Sequence, residues 1–153
     1  MYQTLLFFHL LSVIALFAGG AVAAAAQYAA LGRKRPSEIA TLLGVARRGV
    51  PLVGSGALGS LGFGIGLAEH LGLAFRPAWI QAALALWVLA MALGGYGGGY
   101  ARRARELAER LAAAGDAPSP ELQTLVRDPR SLWTSTASGL VLLAIVGLMV
   151  WQP

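Results

Sequence analysis

Two histidines, His9 and His70, are the residues best suited to chemistry in this 153-residue chain. A neutral imidazole is a good ligand for haem iron or copper, and an ionisable group kept inside a membrane is a functional candidate by default. His9 falls inside a long apolar run and His70 follows Glu69 just after another, so the two can meet near one membrane face. Their other reading is structural or interfacial, because metal sites usually declare themselves by three or four Cys, His or carboxylate groups. There is no cysteine, which excludes disulfides, thiolate metal sites and cysteine nucleophiles. No paired acids, nucleophile elbow or Ser-His-Asp set can be assembled, which argues against a hydrolase. Proton or ion coupling is disfavoured too, since no carboxylate or lysine sits in mid-span to relay charge.

The elements that position these histidines are membrane spans. Hydrophobic residues make up 57% of the chain and charged ones only 12%, against about 25% charged in soluble domains. Uncharged apolar stretches run over about 4–31, 49–68, 78–100 and 131–151, each reaching the roughly 20 residues that cross a bilayer as a helix. The expectation is one all-α membrane domain over 1–153, an antiparallel bundle of four transmembrane helices. An uncleaved first helix is expected as well. No positive charge precedes its apolar run, and Arg33-Lys34-Arg35 follows it, the reverse of a secretory signal.

Orientation follows from the cations. Of 12 Lys and Arg residues, Arg33, Lys34, Arg35, Arg47 and Arg48 lie between spans one and two, and Arg102, Arg103, Arg105, Arg110, Arg127 and Arg130 between spans three and four. Only Arg76 lies in the remaining loop. Positively charged loops stay cytoplasmic, so both termini and the loop over 69–77 are expected outside. Tyr2, Trp79 and Trp151 then mark the outer interface, and Tyr28, Tyr100 and Trp133 the inner one. The net charge of +5 reflects this topology and attraction to anionic lipid, and no basic patch interleaved with aromatics points to nucleic acid.

Small residues mark helix contacts. Ser55, Gly59, Gly62 and Gly66 share one face of span two, with Gly56, Ser60 and Gly64 on a neighbouring stripe. Span three carries the overlapping pairs Gly94/Gly98 and Gly95/Gly99, and span one Gly19/Ala23 and Gly20/Ala24. Such residues let helix backbones approach closely, either within this bundle or against another protein. The serines and threonines of span four, Thr134, Ser135, Thr136 and Ser138, can bond their own backbone or a neighbouring helix.

Both inner loops carry helical signals. Ser37 can cap a helix with an apolar stripe of Ile39, Leu42, Leu43 and Ala46, broken by Gly49 and Pro51 before span two. After span three the helix continues, with Ala104, Leu107, Ala108 and Leu111 on one side, charged pairs on the other and Gly115 as its stop. Residues 116–120 read as a linker, and Asp128-Pro129 as the cap and first turn of span four. The amphipathic segments are expected on the membrane surface, or as a docking site for a cytoplasmic partner.

The opening Leu5-Leu6-Phe7-Phe8-His9-Leu10-Leu11-Ser12-Val13, the Gly19-Gly20 after it, the Arg-bounded second span, and the close from Trp133 through Leu143 to Met149-Val150-Trp151-Gln152-Pro153 resemble the bacterial integral membrane family known as domain of unknown function 2269. More distantly they resemble copper-resistance-protein-D-type and protoporphyrinogen-oxidase-like membrane proteins. That likeness implies a first-helix histidine, here His9, and haem or copper as its ligand. The first resemblance implies a multi-pass protein of the bacterial cytoplasmic membrane. Two functions are then expected: a non-catalytic accessory subunit packed into a larger electron-transport or photosynthetic complex, or a haem- or metal-binding redox protein using His9 and His70.

Overall fold

The computed structural model describes residues 1–73 and 76–151. Ala74, Phe75, Gln152 and Pro153, which belong to the expected loop and the C-terminal run, lie outside the described residues. The described residues form α1 (Tyr2–Leu31), α2 (Pro36–His70), α3 (Ala78–Ala113), α4 (Pro120–Val126) and α5 (Pro129–Trp151). Four helical segments, 2–31, 36–70, 78–113 and 120–151, the last taking in α4 and α5, are long and apolar enough to cross a membrane. This is the expected all-helical four-span architecture.

The surface of the spans is apolar. Leu58, Ile14 and Val88 are 72%, 64% and 62% exposed, whereas the residues buried between the spans are mostly small: Gly19, Ala26, Gly56, Ala57, Ser60, Ala90, Gly97 and Ser138. In lipid there is no hydrophobic gain from turning large side chains inward, so close backbone packing takes over. α1 packs chiefly on α2 and α3 chiefly on α5, while α2 and α3 touch less closely.

Two expected boundaries are corrected. The stripe over 37–48 is not a separate surface helix: α2 runs unbroken from Pro36 to His70, with Gly49 and Pro51 inside it. A proline interior to a helix removes one hydrogen bond and crowds the carbonyl four residues back. Apolar surroundings offer the backbone no other partner than the helix itself, which favours continuity. Ser37, expected as the cap, is the second residue inside α2; Arg35 is the N-cap and Pro36 opens the helix. The second correction concerns 116–128, which holds a further helix, α4. Its signal was readable in Ser119-Pro120-Glu121, where the Ser119 hydroxyl accepts from Leu122 N–H at 3.4 Å.

The amphipathic stripes are also placed differently than expected. At 35 and 36 residues, α2 and α3 are each over 50 Å long at about 1.5 Å per residue, well beyond about 30 Å of hydrocarbon. Their extensions meet α4 and the end of α1 in one apolar cluster of Ala30, Ile39, Leu43, Ala104, Ala108, Leu122 and Val126, with Ile39 and Leu122 fully buried. The stripes therefore pack largely on one another. Outside hydrocarbon the hydrophobic effect operates again, and each large side chain buried there contributes about 1.5–3 kcal/mol. Gly115 closes the end of α3 in a left-handed conformation, φ 119°, as expected of a stop residue. Asp128 Oδ1 accepts from Arg130 N–H at 2.8 Å, opening α5 as expected.

Candidate functional site

The candidate site lies in the α1–α2 seam. Leu5, His9, Ser12, Leu16 and Gly19 recur at four, three, four and three residues, so they share one face of α1. Against them α2 presents backbone. A Cβ on Gly49 would lie 2.9 Å from Gly19 O, and one on Gly56 would press into the backbone of Ser12 and Leu16. Gly59 faces Ser12 just as closely, and Gly66 faces Leu5 at 3.4 Å. The packing draws on both stripes: Gly56, Ser60 and Gly64, together with Gly59 and Gly66 from the face shared by Ser55, Gly59, Gly62 and Gly66. Of the latter, Ser55 is exposed and bonds only Leu52 O, and a Cβ on Gly62 would meet nothing within 4 Å.

His9 sits at the polar point of this seam, 7% exposed, with Nδ1 3.0 Å from Ser60 O. A carbonyl only accepts, so Nδ1 carries the hydrogen and Nε2 keeps its lone pair in the neutral ring. Among the described residues Nε2 has no hydrogen-bond partner. Gly64 leaves room for the ring: a Cβ there would stand 3.2 Å from Cε1 and 3.4 Å from Nδ1. Phe8 stacks on Phe63 at 5.3 Å between ring centroids, walling one flank of the seam with aromatic surface.

His70 is elsewhere. Its ring stacks on Tyr2 at 6.2 Å, exposed at the end of the helix pair. Tyr2 and His9 are seven positions apart on α1, about 10 Å along the axis, so the two histidines address different turns. Among the described residues no group of three or more His, Cys, Asp or Glu is gathered as for a metal ion.

The α3–α5 seam is polar, and its hydroxyls are held in hydrogen bonds. Ser138 donates to Ala90 O at 2.8 Å, and Ser131 accepts from Gln27 at 2.8 Å while donating to Gly97 O at 3.4 Å, which links α1, α5 and α3. Tyr28 and Thr136 hydroxyls meet at 3.0 Å. Of the expected packing glycines on α3, Gly94 faces Ser138 at 3.1 Å, while Gly95, Gly98 and Gly99 have open space where a Cβ would stand. Gly97 takes the contact instead: a Cβ there would stand 2.7 Å from Ser135 Oγ. Gly97 lies three residues after Gly94, a spacing that a search for four-residue glycine pairs passes over. The Ser60 carbonyl left no trace in residue type, since any residue supplies a carbonyl.

No curated protein and no solved structure matches this chain. A family model does, over residues 3–153, and the chain therefore belongs to the family described as predicted integral membrane protein (DUF2269).

Proposed function

We propose that this multi-pass membrane protein binds haem through His9 and serves a redox role, in the bacterial cytoplasmic membrane with its basic end inward. The observation that carries this reading is the His9 Nδ1–H to Ser60 carbonyl bond, which fixes the tautomer that leaves Nε2 bare. A histidine ligand ordinarily has its second nitrogen held in this way by a carbonyl or carboxylate. Haem suits such a site better than a bare ion. The macrocycle brings four of the iron's ligands, so one imidazole suffices, whereas a bare ion asks three or four groups of the protein. Bound haem would supply one-electron chemistry; the chain's own part is to hold Nε2 unprotonated in an apolar, glycine-lined seam. The reading assigns His9 alone and leaves His70 as an interfacial residue stacked on Tyr2. Protein purified in mild detergent from haem-replete cells is expected to show a Soret band, absent in His9→Ala and kept in His70→Ala. A colourless wild-type preparation that also ignores added haem overturns the reading.

A second reading is the non-catalytic accessory subunit, packed against a larger electron-transport or photosynthetic complex. It is favoured by the bare edge of α3, where a Cβ on Gly95, Gly98 or Gly99 would meet nothing within 4 Å among the described residues. The glycines of α2, which motivated it most strongly in the sequence, are largely taken up by α1. Gentle extraction distinguishes the two: a stoichiometric partner lost on Gly95→Leu and Gly99→Leu supports it, and a chain that always migrates alone contradicts it.

A further inference from the structure

Where α3 and α5 leave the apolar region at the basic end, two tyrosines and two arginines lie on neighbouring turns. Tyr100 closes the apolar run of α3 and shares a hydroxyl–hydroxyl bond of 3.0 Å with Tyr96, one turn earlier. The Arg103 guanidinium lies 6.0 Å over the Tyr100 ring, and Arg130 opens α5 next to Ser131, whose hydroxyl donates to the Gly97 carbonyl one turn before Tyr100. Both arginines are exposed and neither has an ion-pair partner among the described residues, unlike Arg102 and Arg105, which pair with Glu106 and Glu109. The nearest carboxylate, Asp128, uses Oδ1 to accept from the Arg130 backbone N–H. Trp133, one turn beyond Arg130, is 75% exposed, as suits an indole at the level of lipid headgroups.

We propose that Arg103 and Arg130, at the level of Tyr100 where α3 and α5 meet, hold the phosphate of an anionic phospholipid. Two guanidinium forks match phosphate oxygens in pairs, and the one tyrosine O–H not spent in the Tyr96–Tyr100 bond adds a donor beside them. The depth is right for a headgroup: Arg103 lies just past the apolar part of α3, and Arg130 just before the apolar part of α5. The site lies on a different helix pair from His9 and does not depend on the haem reading.

Native mass spectrometry of the full chain, delipidated in detergent and offered equal phosphatidylglycerol and phosphatidylcholine, tests this. Wild type is expected to retain phosphatidylglycerol preferentially. Arg103→Gln/Arg130→Gln is expected to retain it roughly thirtyfold more weakly, the effect of losing two direct guanidinium–phosphate contacts. Arg47→Gln/Arg48→Gln, which removes the same charge from exposed positions on α2, is expected to behave as wild type. If the double variant does not extract intact, Arg103→Lys and Arg130→Lys, which keep charge but lose the fork, are each expected to retain less than wild type. Equal retention of both lipids, equal loss in the α2 control, or displacement of the lipid by excess glycerol 3-phosphate overturns the assignment, the last by pointing to a soluble anion.

Discussion

The Asp116 carboxylate closes the start of α2 from across the cap. Its Oδ1 accepts from Ser37 N–H and its Oδ2 from the Ser37 hydroxyl, both at 2.7 Å. The α3–α4 connection, with Asp116 itself left-handed at φ 58°, is thereby fastened over the buried Ile39 and Leu122.

These bonds, and more weakly the Arg35 charge, hold the Asp116 carboxyl below the usual aspartate range. A carboxyl depressed in the folded state adds stability above its unfolded pKa, and loses it as pH falls through the folded value. Protection of the Ser37 amide, the factor by which its exchange is slowed relative to an unstructured amide at the same pH, is therefore expected to be high at neutral pH and to fall once pH drops below the ordinary aspartate range. Asp116→Asn retains an acceptor but not the titration, so its exchange should lack this acid-dependent component. An identical acid response in both proteins would assign the effect to another group.

Glycines of α2 divide into those that α1 needs and those that it does not. Gly56→Ala drives a Cβ into the backbone of Ser12 and Leu16 and is expected to destabilise by on the order of 1–3 kcal/mol. Gly62→Ala enters open space and is expected to be neutral or stabilising, by up to about 1 kcal/mol. Reversible unfolding in mixed micelles gives both values; equal effects would place the α1–α2 contact on a different face.

Large apolar side chains matter most in the cap. Ile39→Ala removes a fully buried side chain from the cluster beyond the spans and is expected to cost about 2–5 kcal/mol. Leu58→Ala, on a side chain 72% exposed along the span, should change micellar stability little. The reverse order would mean that the hydrophobic core lies between the spans.

Composition made the four spans legible, because runs free of Asp, Glu, Lys and Arg have few other uses. Contact details were less so. The stripe of Ile39, Leu42 and Leu43 is visible as periodicity, but only three dimensions show that Ala104, Ala108 and Leu122 cover it. Pro51 reads as a helix stop by its missing N–H, and the rule gave way because the surroundings leave the backbone nowhere else to bond. Gly94 carries a contact and Gly98, one turn on, carries none, since spacing alone does not say which side of α3 meets α5. His9 stood out by residue type, yet the backbone carbonyl that fixes its tautomer, 51 residues away, has no signature in the sequence.

Titration of purified protein with haemin, followed by absorbance, tests the His9 assignment most directly. Saturation at one haem per chain is predicted, with a sharpened, shifted Soret band that vanishes in His9→Ala and persists in His70→Ala. A spectrum that is the same with and without the His9 imidazole would contradict the account.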